Sequence, residues 1–176
     1  SRDGHVRICR LPGGQIENEI TASEQQILAV AFSPDGRRIA TCAGFTDSRV
    51  RVWEWDVPGG REIAVLEGHG AFVSGLAFLD DGKKLATSSG DQSIRIWDIS
   101  TRRELAVLRG HESEVRGLAL SPASGVLASC GKDGDIKFWR SDSRPSRELW
   151  TRLPAKLKRF PNMMSFSANS LAWSPD

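Results

Sequence analysis

The feature that most constrains this chain is a unit that recurs in register. Its clearest copy is residues 68–98, GHGAFVSGLAFLDDGKKLATSSGDQSIRIWD, which open with Gly-His and close with Trp-Asp. The Gly-His pair returns 42 residues later at residues 110–111, and the Trp returns at the same interval, from Trp97 to Trp139. A fixed period indicates that the chain folds as a series of like units.

Each unit is predicted to be an antiparallel meander. In the clearest copy, three runs rich in β-forming residues, 72–78, 84–88 and 93–97, are separated by the turn residues 80–82 and 90–91. A fourth run follows at residues 104–110. In the next copy the first three strands are expected between residues 114 and 140, and the fourth at 147–150.

An Asp stands six positions before the Trp that ends the third strand of each copy. The pairs are Asp47 and Trp53, Asp91 and Trp97, and Asp133 and Trp139. Asp3 stands six positions before Cys9, which indicates a Trp position that has been lost. In the first complete copy the spacing is longer by a few residues, so that copy carries small loop insertions.

A four-strand unit of about 40–45 residues with Gly-His and Trp-Asp marks resembles the WD repeat. The resemblance implies an all-β fold, a WD-repeat β-propeller built as a partial ring of four-stranded antiparallel blades. The expected units are a partial blade with third and fourth strands at 1–22, blades at 23–67 and 68–109, a blade with a long basic connection at 110–164, and a first strand at 165–176. Closed rings have about 4–8 blades, so we expect a piece of a longer, bacterial-type array.

The resemblance also implies a hydrogen-bonded network inside each blade that joins His, a second-strand Ser or Thr, the turn Asp and the Trp. The positions that match are His69, Thr87, Asp91 and Trp97, then His111, Ser129, Asp133 and Trp139, and finally Thr41, Asp47 and Trp53. In the last set Ser23 replaces the His, so that network is expected to be incomplete. The role is structural, because a satisfied polar network fixes one strand register.

No catalytic or metal site is predicted. His69, Thr87 and Asp91 have the residue types of a hydrolytic triad, but their repetition at a fixed period beside Trp favours a structural role. The three cysteines, Cys9, Cys42 and Cys130, lack metal-ligand or paired spacing, so we expect small buried strand residues in a reducing cytoplasm. No metal and no cofactor are expected.

Charge and hydropathy give little indication of nucleic-acid or membrane binding. The net charge is +2, and no run of 18 apolar residues is present. Residues 140–160 depart from this background, with seven basic residues against two acidic ones. This segment is interpreted as a solvated loop between blades, with an acidic-partner or nucleic-acid site as the alternative.

The expected function is a non-enzymatic scaffold that binds protein or peptide partners. The alternative is a regulatory or targeting arm of a larger enzyme, such as a protein kinase or NTPase, and a lesser alternative is a nucleic-acid-binding propeller. The resemblance places five candidate partner-binding residues near one surface of the ring: Phe72, Gly90, Glu112, Glu114 and Lys132. The basic segment adds four more candidates: Arg152, Lys156, Lys158 and Arg159. With unpaired strand edges at both ends, the isolated piece is expected either to self-associate or to remain a partly open arc that adheres to other surfaces.

Overall fold

The computed structural model describes residues 1–121, 123–141 and 150–153. Within this part the chain forms fourteen β-strands and one short 3-10 turn at Asp80–Gly82. The strands are β1 (His5–Arg10), β2 (Gln15–Thr21), β3 (Ile27–Phe32), β4 (Arg38–Ala43), β5 (Val50–Glu54), β6 (Arg61–Leu66), β7 (Val73–Leu79), β8 (Lys84–Ser89), β9 (Ser93–Asp98), β10 (Arg103–Arg109), β11 (Val115–Leu120), β12 (Leu127–Gly131), β13 (Ile136–Ser141) and β14 (Trp150–Leu153).

The strands form four antiparallel sheets in which neighbours in sequence are neighbours in space. Strands β1 and β2 pair as a two-stranded sheet, here called blade 1. The other three sheets have four strands each, β3–β6 (blade 2), β7–β10 (blade 3) and β11–β14 (blade 4). Short β-forming runs joined by tight turns produce this meander because each turn returns the chain beside the strand it has just left.

The core lies between consecutive blades. One apolar cluster joins blade 2 to blade 3 through Val52, Leu66, Phe78 and Trp97, and equivalent clusters join blades 1 and 2 and blades 3 and 4. The inner strands β3, β7 and β11 contact one another in succession. Since each blade buries its faces against its neighbours, the stability of the arc is a sum of blade and interface terms.

The turn residues of interest lie together at one end of the blades. Ile27 at the start of β3 pairs with Ala43 at the end of β4, and Val50 at the start of β5 pairs with Leu66 at the end of β6. The same pattern holds in the other blades. This end, here called the upper end, therefore carries the loops 1–4, 22–26, 44–49, 67–72, 90–92, 110–114 and 132–135.

The expected burial of the cysteines is correct for Cys42 and Cys130 and wrong for Cys9, which is exposed. Each Trp at the equivalent position packs against the preceding blade, as Trp53 does in the cluster it shares with β1 and β2. No blade precedes blade 1 in the described part of the chain, so Cys9 has nothing to cover it. Burial raises the pKa of Cys42 to about 12 and that of Cys130 to about 11.

In the described residues the fourth strand of blade 4 is β14, Trp150–Leu153, which shares Trp150 with the expected strand at 147–150 and continues to Leu153. Residues 147–149 lie outside the described residues. Trp150 pairs with Ser141, and Leu153 pairs with Phe138, so the strand completes the sheet as β6 and β10 do. The first strand expected at 165–176 lies outside the described residues and stays a prediction.

Candidate functional site

Blade 3 contains a continuous hydrogen-bonded chain of four side chains. The indole N–H of Trp97 donates to Thr87 Oγ1 at 2.9 Å, and Thr87 Oγ1 lies 2.7 Å from Nε2 of His69. His69 Nδ1 lies 2.9 Å from Oδ2 of Asp91. When His69 Nδ1–H donates to the Asp91 carboxylate and the Thr87 hydroxyl donates to His69 Nε2, each of the four side chains in this network has a hydrogen-bond partner.

Blade 4 repeats the arrangement with Ser129 in place of Thr. Trp139 donates to Ser129 Oγ at 2.8 Å, Ser129 Oγ lies 2.8 Å from His111 Nε2, and His111 Nδ1 lies 2.8 Å from Asp133 Oδ2. Asp133 also fixes the loop 110–114 that precedes β11, because its carboxylate accepts the backbone N–H of Glu112 at 3.0 Å. The network thus joins this loop, strand β12, the turn 132–135 and strand β13.

Blade 2 keeps only part of this chain. Trp53 donates to Thr41 Oγ1 at 3.0 Å, but the His position is occupied by Ser23, whose Oγ accepts the backbone N–H of Gln25 at 3.0 Å. Asp47 pairs instead with Arg49 at 2.9 Å and with Arg51 at 3.1 Å. Where the imidazole stands in the other blades, an open cleft of about 410 Å³ separates loop 21–25 from Asp47 and Trp53.

A fifth member of the network was missed in the sequence. A basic residue stands two positions before each network Trp (Trp53, Trp97 and Trp139) and before Cys9. This basic residue pairs with the turn Asp four positions before it. The pairs are Arg7 with Asp3 at 2.8 Å, Arg51 with Asp47 at 3.1 Å, Arg95 with Asp91 at 4.0 Å, and Lys137 with Asp133 at 3.5 Å. The signal was the period-two spacing of third strands such as RVW, RIW and KFW, which places the cation and the Trp on one strand face.

Lys137 is the extreme case, because its side chain is only 2% exposed. Its ammonium pairs with Asp133 and Asp135, so the buried charge is compensated by two carboxylates. A buried cation without partners would cost several kcal/mol, and this pairing removes most of that cost.

The ionisation of the network favours neutral imidazoles and charged carboxylates. Burial lowers the pKa of His69 and His111, and this effect outweighs the opposing interaction with Asp91 and Asp133. Burial raises the pKa of Asp91, but hydrogen bonds from Ser93, the Gly70 N–H and His69 outweigh it and hold the pKa well below its ordinary value. A neutral imidazole and an ionised Asp match the proton positions assigned above.

This arrangement is suited to holding strands in register and not to acting on a substrate. Thr87 and Ser129 have no exposed surface, and both His side chains are 1% exposed, so neither network hydroxyl reaches solvent. The hydroxyl also receives a hydrogen bond from the indole, which the Ser of a hydrolytic triad does not need. Among the described residues, no three His, Cys, Asp or Glu side chains come together as a metal site.

Five of the partner-binding candidates, Phe72, Gly90, Glu112, Glu114 and Lys132, lie at the upper end. Phe72 is half-buried just before β7, and the backbone N–H of Gly90 donates to its carbonyl at 2.9 Å. Glu112 is exposed, and Glu114 pairs with Arg116 and lies 4.0 Å from the exposed Lys132.

Of the four basic candidates, Arg152 is the one within the described residues. Arg152 lies in β14, opposite Trp139 in the sheet register. Lys156, Lys158 and Arg159 lie outside the described residues. The interpretation of the basic segment as a binding loop therefore stays a prediction.

Sequence reasoning did not select Phe45. Its side chain is 63% exposed, and its ring contacts that of Phe72 with centroids 5.1 Å apart. It lies in the two extra residues that separate Gly44 from Asp47, where blade 3 has Gly90 directly followed by Asp91. The longer repeat spacing signalled an insertion but not where its side chains would lie.

Comparison with known proteins agrees with this geometry. The family described as "WD domain, G-beta repeat" matches residues 14–54, 60–98 and 102–140. The chain belongs to the WD-repeat family. Each match begins in the fourth strand of one blade and ends at the third strand of the next, so every WD repeat spans two adjacent blades. WD-repeat domains are in general non-catalytic domains that mediate protein–protein interactions.

Several WD-repeat proteins are similar to part of the chain. Mouse coronin-7 is 36% identical over 101 residues, 53% of this chain and 11% of coronin-7. Rat apoptotic protease-activating factor 1 is 30% identical over 54% of this chain and 7% of its own length. The intraflagellar transport protein 122 homolog of Xenopus tropicalis is 38% identical over 42% of this chain and 6% of its own. All three are animal proteins, so they give no support to the expected likeness to bacterial arrays.

The matched part is a small share of each of these relatives. It amounts to 11% of the first and less of the others, so the relatives carry long stretches that have no counterpart here. In the part of the chain that the structure describes, no helix is long and apolar enough to cross a membrane.

Proposed function

We propose that this chain is a non-enzymatic WD-repeat scaffold that binds protein or peptide partners with the loops of its upper end. The observation that carries the proposal is the combination of buried networks and the exposed Phe45 ring at the same end of the blades. The networks hold the upper loops rigidly, since Asp91 and Asp133 accept backbone N–H groups of both loops they join. Rigid loops lose little conformational entropy on binding, which favours recognition there.

The proposal includes a cytoplasmic location and no dependence on metal, cofactor, nucleic acid or membrane. The support for the location is the sequence argument from three cysteines without paired spacing. The support for partner binding is the family, together with the exposure of Phe45 and of the Glu112 loop at the upper end.

A second candidate is that the chain is a regulatory or targeting arm of a larger protein, such as a protein kinase or NTPase. The observation in its favour is that the similar proteins share only 6–11% of their length with it. This role is compatible with partner binding at the upper end, because an arm acts by binding. It differs only in what the remaining sequence does.

Affinity capture with matched variants tests the proposal. The full-length protein is immobilised as wild type, as Phe45→Ser with Glu112→Lys, and as a control with Phe32→Ser. Phe32 is also an exposed aromatic residue, 52% exposed, but lies at the opposite end of β3. Quantitative mass spectrometry measures which proteins each variant retains. We expect proteins that wild type and the control retain to be lost from the upper-end variant. Identical retention by all three would refute the proposal.

The non-enzymatic part is tested separately. Purified protein is assayed for hydrolysis of generic ester, phosphate and peptide substrates, with His69→Ala as the matched variant. We expect no turnover that depends on His69, because its ring is buried between Thr87 and Asp91. Turnover lost in a folded His69→Ala protein would contradict a purely structural role.

A further inference from the structure

Three side chains from three successive blades form one cluster at the upper end. The Phe45 and Phe72 rings meet edge to face, with centroids 5.1 Å apart and planes inclined at 74°. The guanidinium of Arg116 lies over the Phe72 ring, with Cζ 5.2 Å from its centroid. Both geometries are attractive, so Phe72 is held from two sides. These residues, Phe45, Phe72 and Arg116, are here called the upper aromatic cluster.

Phe45 is the part of the cluster that remains open to solvent. Among the described residues, six large apolar side chains are exposed, and Phe45 at 63% is the only one of them in an upper-end loop. Its loop is anchored, because Gly44 N–H donates to Gln26 at 2.7 Å and the Thr46 hydroxyl bonds Gln25 at 3.1 Å. An exposed aromatic ring on an anchored loop is the usual form of a binding hot spot.

Gly90 keeps the second ring in place. A Cβ at this position would lie 2.7 Å from the Phe72 ring, closer than such contacts are found. The absence of a side chain at Gly90 therefore allows the Phe72 ring to lie against the turn, where it contacts Phe45. The cluster therefore requires Gly at position 90 as well as the two aromatic rings.

Charged side chains of both signs lie beside the cluster on the blade 4 side, and Arg116 and Lys132 are the cations around Glu114. Arg116 pairs with Glu114, and Lys132, whose side chain is 55% exposed, lies 4.0 Å from the same carboxylate. Two cations thus share one anion, and the more exposed cation is Lys132. A negatively charged partner group beside Lys132 has a favourable electrostatic interaction with its ammonium.

We propose that the upper aromatic cluster anchors an extended peptide segment of a partner protein, in which an apolar side chain packs on Phe45 and a nearby carboxylate meets Lys132. The inference rests on the proposed scaffold function and gives its partner a chemistry. The apolar side chain covers the exposed ring of Phe45 on blade 2, and the carboxylate at Lys132 on blade 4 gives the segment its direction across the upper end.

Peptide display on the full-length protein is the first test. A random peptide library is selected on wild type, Phe45→Ala and Phe32→Ala, each first shown by thermal melting to be folded. We expect wild type and Phe32→Ala to enrich peptides with a bulky apolar residue within a few positions of Asp or Glu, and Phe45→Ala to lose that enrichment. Selection of the same motif by Phe45→Ala would overturn the inference.

The charge is tested with a fluorescein-labelled copy of the most enriched peptide. By fluorescence anisotropy we expect about tenfold weaker binding to Phe45→Ala and a smaller loss for Lys132→Glu. Replacing the peptide acid by Lys should restore binding to Lys132→Glu and weaken binding to wild type. If the charge swap does not recover binding, or if the selected motif needs Phe45 but has no acidic residue, the inference is overturned while the scaffold role stands. If none of the upper-end variants affects peptide binding, both the inference and the proposed scaffold function are contradicted.

Discussion

Trp97 shows at the scale of one residue how polar and apolar burial support each other. Its ring is 2% exposed in the cluster between blades 2 and 3, while its N–H donates to Thr87. An unpaired indole N–H in this position would cost about 1–3 kcal/mol, so the hydrogen bond permits the burial of the ring.

Replacing Trp97 by Ala should therefore destabilise the protein far more than replacing Trp55. We expect a loss of about 3–5 kcal/mol in the free energy of unfolding for Trp97→Ala, because a large buried side chain is removed. Trp55 is the control, since it is half-buried and its N–H donates to the carbonyl of Gly36 at the blade edge. Denaturant titrations measure both; equal losses would mean that the network contributes nothing special.

The two buried imidazoles predict a pH dependence of stability. The pKa of His69 and His111 is lowered in the folded protein, so the unfolded chain takes up protons first as the pH falls. Stability is therefore full above the ordinary His pKa of about 6.5 and decreases below it, by at most about 1.4 kcal/mol per pH unit for each His. The depressed pKa of Asp91 adds a loss of the same sign below about pH 4.

Thermal or urea unfolding between pH 7.5 and 5 measures this slope. His69→Gln should remove about half of it, although the variant is less stable at every pH. His5→Gln is the matched control, because His5 lies at the edge of blade 1 outside the networks. A wild-type protein whose stability does not change over this range would refute the neutral buried imidazoles.

At the scale of the element, blade 2 differs from its neighbours by one missing imidazole. Ser23 leaves the cleft of about 410 Å³ beside Asp47, and Thr41 has Trp53 as a partner but no His. Asp47 keeps the pair with Arg51 that has an equivalent in blades 3 and 4, and it gains a second pair with Arg49. In blade 2 the Arg49 pair therefore takes the place of the imidazole hydrogen bond that Asp91 and Asp133 make in blades 3 and 4.

Ser23→His should restore the relay in blade 2. We expect the imidazole to bridge Thr41 and Asp47 and to raise the free energy of unfolding by about 1 kcal/mol, the usual net value of a hydrogen bond. Ser23→Ala is the control and should leave stability nearly unchanged. Destabilisation by Ser23→His relative to Ser23→Ala would show that Arg49 and Arg51 have closed the site.

At the scale of the whole molecule, the arc leaves one inner face open. Strand β1 pairs only with β2 in the described part, and a cleft of about 420 Å³ beside it is lined by apolar residues that include Ile8, Val30 and Phe32. Val30 and Phe32 are 44% and 52% exposed. An unpaired strand edge next to apolar surface favours association with another chain.

We therefore expect the 176-residue chain to self-associate when it is studied alone. Phe32→Lys should shift it toward the monomer, because a charge would be buried in the interface, whereas Leu105→Lys, on an exposed position of β10, should not. Sedimentation velocity over a range of concentrations provides the measurement. A wild-type protein that stays a monodisperse monomer and melts cooperatively would show that the arc is self-sufficient.

Much of the fold was predictable because the repeat is written in residues with strong local preferences. The turn residues at 80–82 and 90–91 and the alternation of β9 predict a meander, and the observed strands begin and end within a residue or two of the expected runs in blade 3. The fourth strand of blade 4 continues to Leu153, beyond the expected end at Trp150, and residues 150–153 contain no turn residue that would mark this end in the sequence. The burial of Cys9 was misjudged because burial depends on a neighbouring blade, which a local pattern does not contain.

The sequence by itself determined the all-β repeat, its period, and the residue types that can form the buried networks, because these follow from local propensity and fixed spacing. Only the tertiary structure decided which side chains meet across blades. Phe45, Phe72 and Arg116 are far apart in sequence, and their contact depends on a loop insertion, a glycine at position 90 and the packing angle of three sheets. Contacts of this kind arise from packing, which no periodicity in one strand specifies.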